Sequence, residues 1–416
     1  MREIRELTTL ELEESITLSA RAYPGLELTN RTNRTRYRER IIQADEDPNT
    51  RFLGLFEQGE MRGVMRWHDF KMNFFGRPTL AGGLGGVAVD LLHKKEKVAA
   101  EMVQAFLRNY KDAGSPLAAL YPFRPDFYRR MGFGYGTPMQ HYRFTPASLP
   151  QGPSKSDLVY LEPGDGQKMH DCYKRFYLRT HGMMARQTRF WDAALNDPGS
   201  QIIGVNTNGR LSGYVVISFE KGRHDNFMSN AMHIHELIYD TADDLSRLLT
   251  FLQSQADQIE SITYNTQDDA FYHLLRDPRA DAGAMLPFTI AHENSKRGLG
   301  IMYRVLNVPR LFEMLEHHNF GGVSCCVRID LGDSFFRENE GSYLVDVRDG
   351  EASVLGDALP EVVLSLDVAE FSSLVISAAS LRKLAAYGLA TLSDDAYLDR
   401  LDRMFSGPAP ICLTSF

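Results

Sequence analysis

Nowhere in this 416-residue chain do apolar residues run to the roughly twenty that a membrane-crossing helix needs. The opening residues, Met1-Arg2-Glu3-Ile4-Arg5-Glu6, have no apolar core of the secretory kind, so the expected compartment is the cytoplasm. Cysteine is scarce. Of Cys172, Cys325, Cys326 and Cys412 two are adjacent and none forms a C-x-x-C pair, so neither a disulfide framework nor a thiolate zinc site is suggested. His93, His170, His181 and His235 lack metal-ligand spacing, so no metal is expected. There is also a deficit of positive charge. A formal net charge of −8 argues against general nucleic-acid binding, although Arg31, Arg34, Arg36, Arg38 and Arg40 form one local basic run. An acidic protein suits a cationic small-molecule substrate. The only tryptophans, Trp67 and Trp191, are expected in the core.

The chemistry concentrates in residues 84–136. Leu84-Gly85-Gly86-Val87-Ala88-Val89 reads as a strand, with glycines where another backbone must come close. His93-Lys94-Lys95-Glu96-Lys97 then leads into a helix whose one face carries Val98, Met102, Ala105 and Phe106. Three lysines at a helix N-terminus join ammonium groups to free backbone donors and the positive end of the helix dipole, a setting that suits a pyrophosphate. Farther on, Phe127-Tyr128-Arg129-Arg130-Met131-Gly132-Phe133-Gly134-Tyr135-Gly136 sets a tyrosine just ahead of a glycine-bracketed strand.

Part of this pattern is repeated. Gly54, Gly59 and Gly63 align with Gly204, Gly209 and Gly213 at an offset of 150 residues, each set marking a strand–turn–strand hairpin. The same offset sets Val87-Ala88-Val89-Asp90 against Leu237-Ile238-Tyr239-Asp240. After Asp240, however, Asp243 and Asp244 stand where the first copy has its lysines. Carboxylates cap a helix well but repel a phosphate, so the first copy is expected to bind the cofactor and the second to have lost that site.

Pro146, Pro150, Gly152, Pro153 and Ser154 punctuate the chain between the copies. A third segment with a different element order begins near Gly298–Met302, and 416 residues are too many for one core. The expected domains are therefore 1–150, 151–297 and 298–416, the last an α+β module. At the front, Thr8 and Glu11 predict a capping box for a helix with Leu12, Ile16 and Tyr23 on its inner face.

With these residues in view, the chain resembles the enhanced intracellular survival (Eis) acetyltransferases of the GCN5-related superfamily over essentially its whole length. The Gly-Val-Ala-Val strand, the Tyr-Arg-Arg-x-Gly-Phe-Gly-Tyr-Gly run and the aromatic C-terminus carry the likeness. The resemblance implies two tandem GCN5-related acetyltransferase-like α/β domains, the second degenerate, followed by a sterol-carrier-like α+β domain. It implies acetyl-CoA as co-substrate and the primary amine of an aminoglycoside-like polycation or a lysine side chain as acceptor. A homohexamer is implied as well.

Residue by residue, Tyr128 matches the general acid that protonates the departing thiolate. The free carboxylate of Phe416 matches the base that takes a proton from the amine. Val87, Ala88 and Val89 match the strand that binds the pantetheine arm. Lys94, Lys95, Glu96, Lys97, Val98, Ala99 and Ala100 match the pyrophosphate turn, and Phe123 with Arg124 matches a further cofactor-contacting pair. Lys97 departs from the family, occupying a position where many members have glycine. The tail from Ser406 to Phe416 has few charges and two prolines, so it suits threading into a pocket. Two alternatives remain at this stage. One is a non-catalytic scaffold or lipid binder built on the apolar Leu364–Leu384 region. The other is a transferase of longer acyl groups.

Overall fold

The computed structural model describes every residue except 1, 153, 222–228, 281–289 and 357, so the Pro153 punctuation lies outside the described residues. Among the described residues no helix is long and apolar enough to cross a membrane.

The first stretch runs β1 (Arg2–Glu6), α1 (Thr9–Ala22), α2 (Arg31–Asp45), β2 (Thr50–Glu57), β3 (Glu60–Phe74), β4 (Arg77–Val89), α3 (Val98–Asp112), β5 (Leu117–Leu120), α4 (Pro125–Arg129) and β6 (Gly134–Tyr135). The expected capping box opens α1: Thr8 accepts from the backbone N–H of Glu11, and the Glu11 carboxylate accepts from that of Thr8. Helix α3 buries Val98, Met102, Val103, Phe106, Leu107 and Tyr110 against β3, β4 and β5, the spacing expected of a one-sided helix.

The second stretch runs β7 (Met139–Phe144), β8 (Leu158–Tyr160), α5 (Gly166–Arg179), α6 (Arg189–Leu195), β9 (Ser200–Thr207), β10 (Arg210–Lys221), β11 (Asn230–Tyr239), α7 (Ala242–Gln253), β12 (Ile259–Thr266) and β13 (Ser295–Gly298). The third contains β14 (Met302–Val305), α8 (Val308–Met314), β15 (Cys325–Gly332), β16 (Gly341–Arg348), β17 (Glu351–Leu355), β18 (Val362–Asp367), α9 (Val368–Val375), α10 (Leu381–Ala386), β19 (Ala390–Leu392) and α11 (Leu398–Met404).

These strands form three sheets, in the orders β1-β2-β3-β4-β5-β14-β6, β13-β7-β12-β11-β10-β9-β8 and β17-β16-β15-β18-β19. The repeat is real in three dimensions. The β2–β3 hairpin turns through Gln58 and Gly59, the β9–β10 hairpin through Asn208 and Gly209, and all four residues have positive φ (55°, 83°, 53° and 80°). Each copy continues into a strand, a helix and a parallel strand.

The expected domain boundaries shift. The chain divides into one compact unit of Met1–Gly136, Gly300–Pro410 and Thr414–Phe416, and another of Thr137–Leu299 and Ile411–Leu413. Strand β7 falls before the expected break at 150 yet pairs with β12 and β13 of the second sheet. Strand β14 falls after the break at 298 yet fills the gap between β5 and β6 of the first sheet. The physical reason is that a buried strand edge must be paired, and the segment that pairs it comes from another part of the chain. Helix α9 then packs beneath β14 and β6, where Ser372 Oγ accepts from Val305 N at 2.9 Å. A Cβ on Gly134 would lie 2.1 Å from the carbonyl of Ala369, so glycine is required for this approach.

Candidate active site

Strand β4 pairs with β5 in parallel register from Ala81–Leu117 to Leu84–Leu120 and no further. Its other edge continues along β3 to Val89–Gly63, with a register shift around Val64/Arg66 opposite Gly86, which adopts φ +58°. The bulge parts β4 from β5, leaving the β5-facing edge of Val87–Val89 open to pair with an extended ligand.

A cavity of about 640 Å³ occupies this opening, lined by Val87, Ala88, Val89, Lys94, Lys95, Lys97, Val98, Ala99, Ala100, Phe123 and Arg124. Every residue expected to contact the cofactor is therefore gathered in one place except Glu96. That side chain is drawn away: its carboxylate pairs with His93 Nδ1 at 3.0 Å and lies 3.7 Å from Arg2. Arg2 also donates to the Glu96 carbonyl at 2.9 Å and pairs with Glu101 at 2.8 Å, so β1 neutralises the acidic members of the turn. Among the described residues, Lys94, Lys95 and Lys97 have no carboxylate partner.

Helix α3 starts here with an uncapped first turn. Lys97 is its N-cap, in the left-handed region (φ 64°) and without a side-chain capping bond, so the N–H groups of Val98, Ala99 and Ala100 remain available at the cavity. Lys97 thus adopts the conformation that glycine reaches without strain, as does Lys95 (φ 71°). Donors and ammonium groups at one end and apolar walls of Ala22, Tyr23, Val87 and Phe127 beyond suit an anionic headgroup joined to an extended, less polar arm.

Tyr128 lies in the last turn of α4 and is 3 % exposed, with ring contacts to Phe123, Phe127 and Phe133 at 5.8, 5.2 and 6.0 Å. It stands behind Phe123 and Phe127, which line the cavity. Burial, with a smaller contribution from Tyr23, pushes its pKa above that of a free phenol, so the hydroxyl keeps its proton. Tyr23 lines the cavity itself, touches Phe123 edge-on at 5.9 Å and donates to the carbonyl of Val87; burial pushes its pKa up to about 12.

Phe416 reaches the same strand. Its carboxyl carbon would lie 3.2 Å from a Cβ on Gly85, so the absence of a side chain there admits the terminus. The Phe416 ring is held edge-on by His68, Phe70 and Tyr121 at 5.6, 4.7 and 5.4 Å. Arg66 adjoins the same Gly85 position, its Nη2 and Nε at 3.4 and 3.5 Å from that Cβ point. Burial pushes the His68 pKa down to about 3, with Arg66 adding to the effect, so this ring is neutral. The Tyr128 phenol thus keeps its proton behind Phe123 and Phe127, while the Phe416 carboxyl carbon and the Arg66 guanidinium both adjoin Gly85 of β4.

Several of these neighbours were not singled out as site residues by the sequence. Tyr23 was legible only as an inner-face helix residue, and His93 only as the residue that opens the lysine turn. Arg66 carried no signal of its own, being one of several charged residues along β3.

Comparison with known proteins follows this geometry. Residues 3–136 and 182–304 each match acetyltransferase (GNAT) domain families, and residues 308–413 match a sterol carrier protein domain family. The chain is 25 % identical over 366 residues, 85 % of either length, to N-acetyltransferase Eis from Mycobacterium tuberculosis and Mycobacterium bovis. Among solved structures, a GCN5-related N-acetyltransferase from Anabaena variabilis superposes with a TM-score of 0.82 at 16 % identity. Eis1 from Mycobacterium abscessus superposes with 0.77 at 20 %, and both comparisons cover all of each chain.

Proposed function

We propose that this chain, which is similar to the Eis N-acetyltransferases and matches two GNAT domain families and a sterol carrier protein domain family, acetylates a primary amine by direct transfer from acetyl-CoA. What supports this reading is the lysine-flanked α3 N-terminus and the open edge of β4 in one cavity, with the terminal carboxyl carbon beside Gly85 of the same strand and Tyr128 packed against the cavity-lining Phe123 and Phe127.

Acetyl-CoA would supply the acetyl group as an activated thioester. The Lys94, Lys95 and Lys97 ammonium groups and the first-turn N–H donors of α3 bind its phosphates, and the Val87–Val89 backbone holds its arm. The Phe416 carboxylate takes a proton from the attacking amine nitrogen. As the new C–N bond forms and the C–S bond breaks, the Tyr128 hydroxyl gives its proton to the leaving sulfur. The products are an amide and a free thiol, and no covalent enzyme intermediate is needed because both substrates are held together. The acceptor class is the amine of an aminoglycoside-like molecule or a lysine side chain, and the assembly is a homohexamer.

The test is to incubate the protein with acetyl-CoA and a panel of aminoglycosides, polyamines and lysine peptides while following thiol release. Acceptor-dependent release is expected with at least one class. No release, together with no coenzyme A binding, would end the proposal.

A further inference from the structure

The second unit holds the tail through side chains of its own. Arg186 is buried, with 3 % of its side chain exposed, and pairs with Glu236 of β11 at 2.6 Å. Glu236 also accepts from the Tyr214 hydroxyl at 2.7 Å, and the Trp191 indole donates to that hydroxyl at 3.2 Å. Burial opposes the charge on Arg186, but Glu236 outweighs it and raises the guanidinium pKa. Tyr173 and Phe190 lie against its faces at 4.5 and 4.2 Å.

The second guanidinium arm leaves this network and donates to the carbonyl of Leu413. Two further bonds fix the same segment. Cys412 N donates to Gln267 Oε1 at 2.5 Å, and Ile411 N donates to the His181 carbonyl at 2.8 Å. Three successive residues are thus tied by their backbone, which fixes a register rather than filling space. A buried ion pair is seldom the most stabilising use of a core position. This one spends a guanidinium arm on a main-chain oxygen three residues before the end of the chain.

We propose that Arg186 is a positioning residue for the transfer reaction: by holding the Leu413 carbonyl it sets how far Phe416 extends and so where the terminal carboxylate lies. This rests on the assignment of that carboxylate as the base.

The test compares Arg186→Met, Arg186→Lys and Gln267→Leu with the unaltered full chain. Three quantities are read: kcat for thiol release, coenzyme A affinity, and the rate at which carboxypeptidase removes Phe416. Arg186→Met should lower kcat about 100-fold, the cost of a small misplacement of a catalytic group, with coenzyme A affinity unchanged within about threefold. Phe416 should be released at least about tenfold faster, because the segment opens locally. Arg186→Lys, which keeps the charge beside Glu236, should recover part of both changes. Gln267→Leu leaves the ion pair intact and should show the same pattern more weakly, which keeps the test alive if Arg186→Met fails to fold. A fall in kcat without faster Phe416 release would overturn the positioning role, and so would unchanged kcat. A chain extended by one residue past Phe416 separates the two claims. If it retains full activity, the carboxylate assignment itself has failed.

Discussion

The two acetyltransferase-like sheets part their strands at the same place and fill the opening differently. Parallel pairing stops at Leu84 in the first and at Ile234 in the second, positions 150 residues apart. Beyond that point the first sheet has Gly85 and Gly86, a cavity, and an α3 first turn without a side-chain cap. The second has Glu236 locked to Arg186 and Tyr214, and an α7 first turn closed by a Thr241/Asp244 capping box. In the second unit the N–H of Asp244 already donates to Thr241, and Asp243 and Asp244 place negative charge where the first unit has Lys94, Lys95 and Lys97. A fold that can open a cleft does not bind an anion unless its donors stay free and its charge is of the right sign.

The comparison can be broken at several points. The largest effect should come from adding one residue after Phe416, which moves the carboxylate away from Gly85. We expect kcat to fall about 10²–10⁴-fold, measured as thiol release, with coenzyme A affinity retained. Tyr128→Phe should lower kcat about 10²–10³-fold while leaving coenzyme A affinity near the original value. Because burial raises the Tyr128 pKa, the proton donor should persist as pH rises, with no loss of kcat from its ionisation up to about pH 10.

Giving the first unit the charge of the second sharpens the contrast. Lys94→Asp with Lys95→Asp should weaken coenzyme A binding about 10–100-fold by calorimetry, with the loss shrinking at high salt. The smallest effect should follow Lys97→Gly. Releasing a left-handed lysine gains about 1–2 kcal/mol, and the added chain entropy of glycine takes back about 0.5–1 kcal/mol. The melting temperature should rise slightly, and coenzyme A affinity should stay within about threefold.

Much of the site was legible because it is local. Strand Val87–Val89, the turn through Lys97 and the first turn of α3 are consecutive, and their pattern reads without knowing what they pack against. The repeat was legible for the same reason, since its glycines mark turns that require positive φ. What escaped was pairing at a distance. Strand β7 (Met139–Phe144) alternates polar with apolar residues, β14 is only four residues long with Arg304 among them, and nothing local in either says which sheet edge it closes. Strands β18 and β19 were likewise not distinguished within the third segment. The surroundings of Phe416 were illegible too, because His68, Phe70 and Tyr121 meet it only after β3, β5 and the tail have come together. The non-catalytic scaffold alternative gives way to an enzyme of the acetyltransferase class.

If the difference between the two openings is what assigns the cofactor, the stoichiometry of coenzyme A binding should show it. Calorimetric titration of the full chain should give one site per chain, weakened by the Lys94→Asp and Lys95→Asp exchange and unchanged by neutralising Asp243 and Asp244. Two sites per chain, or one site that survives the lysine exchange intact, would contradict it.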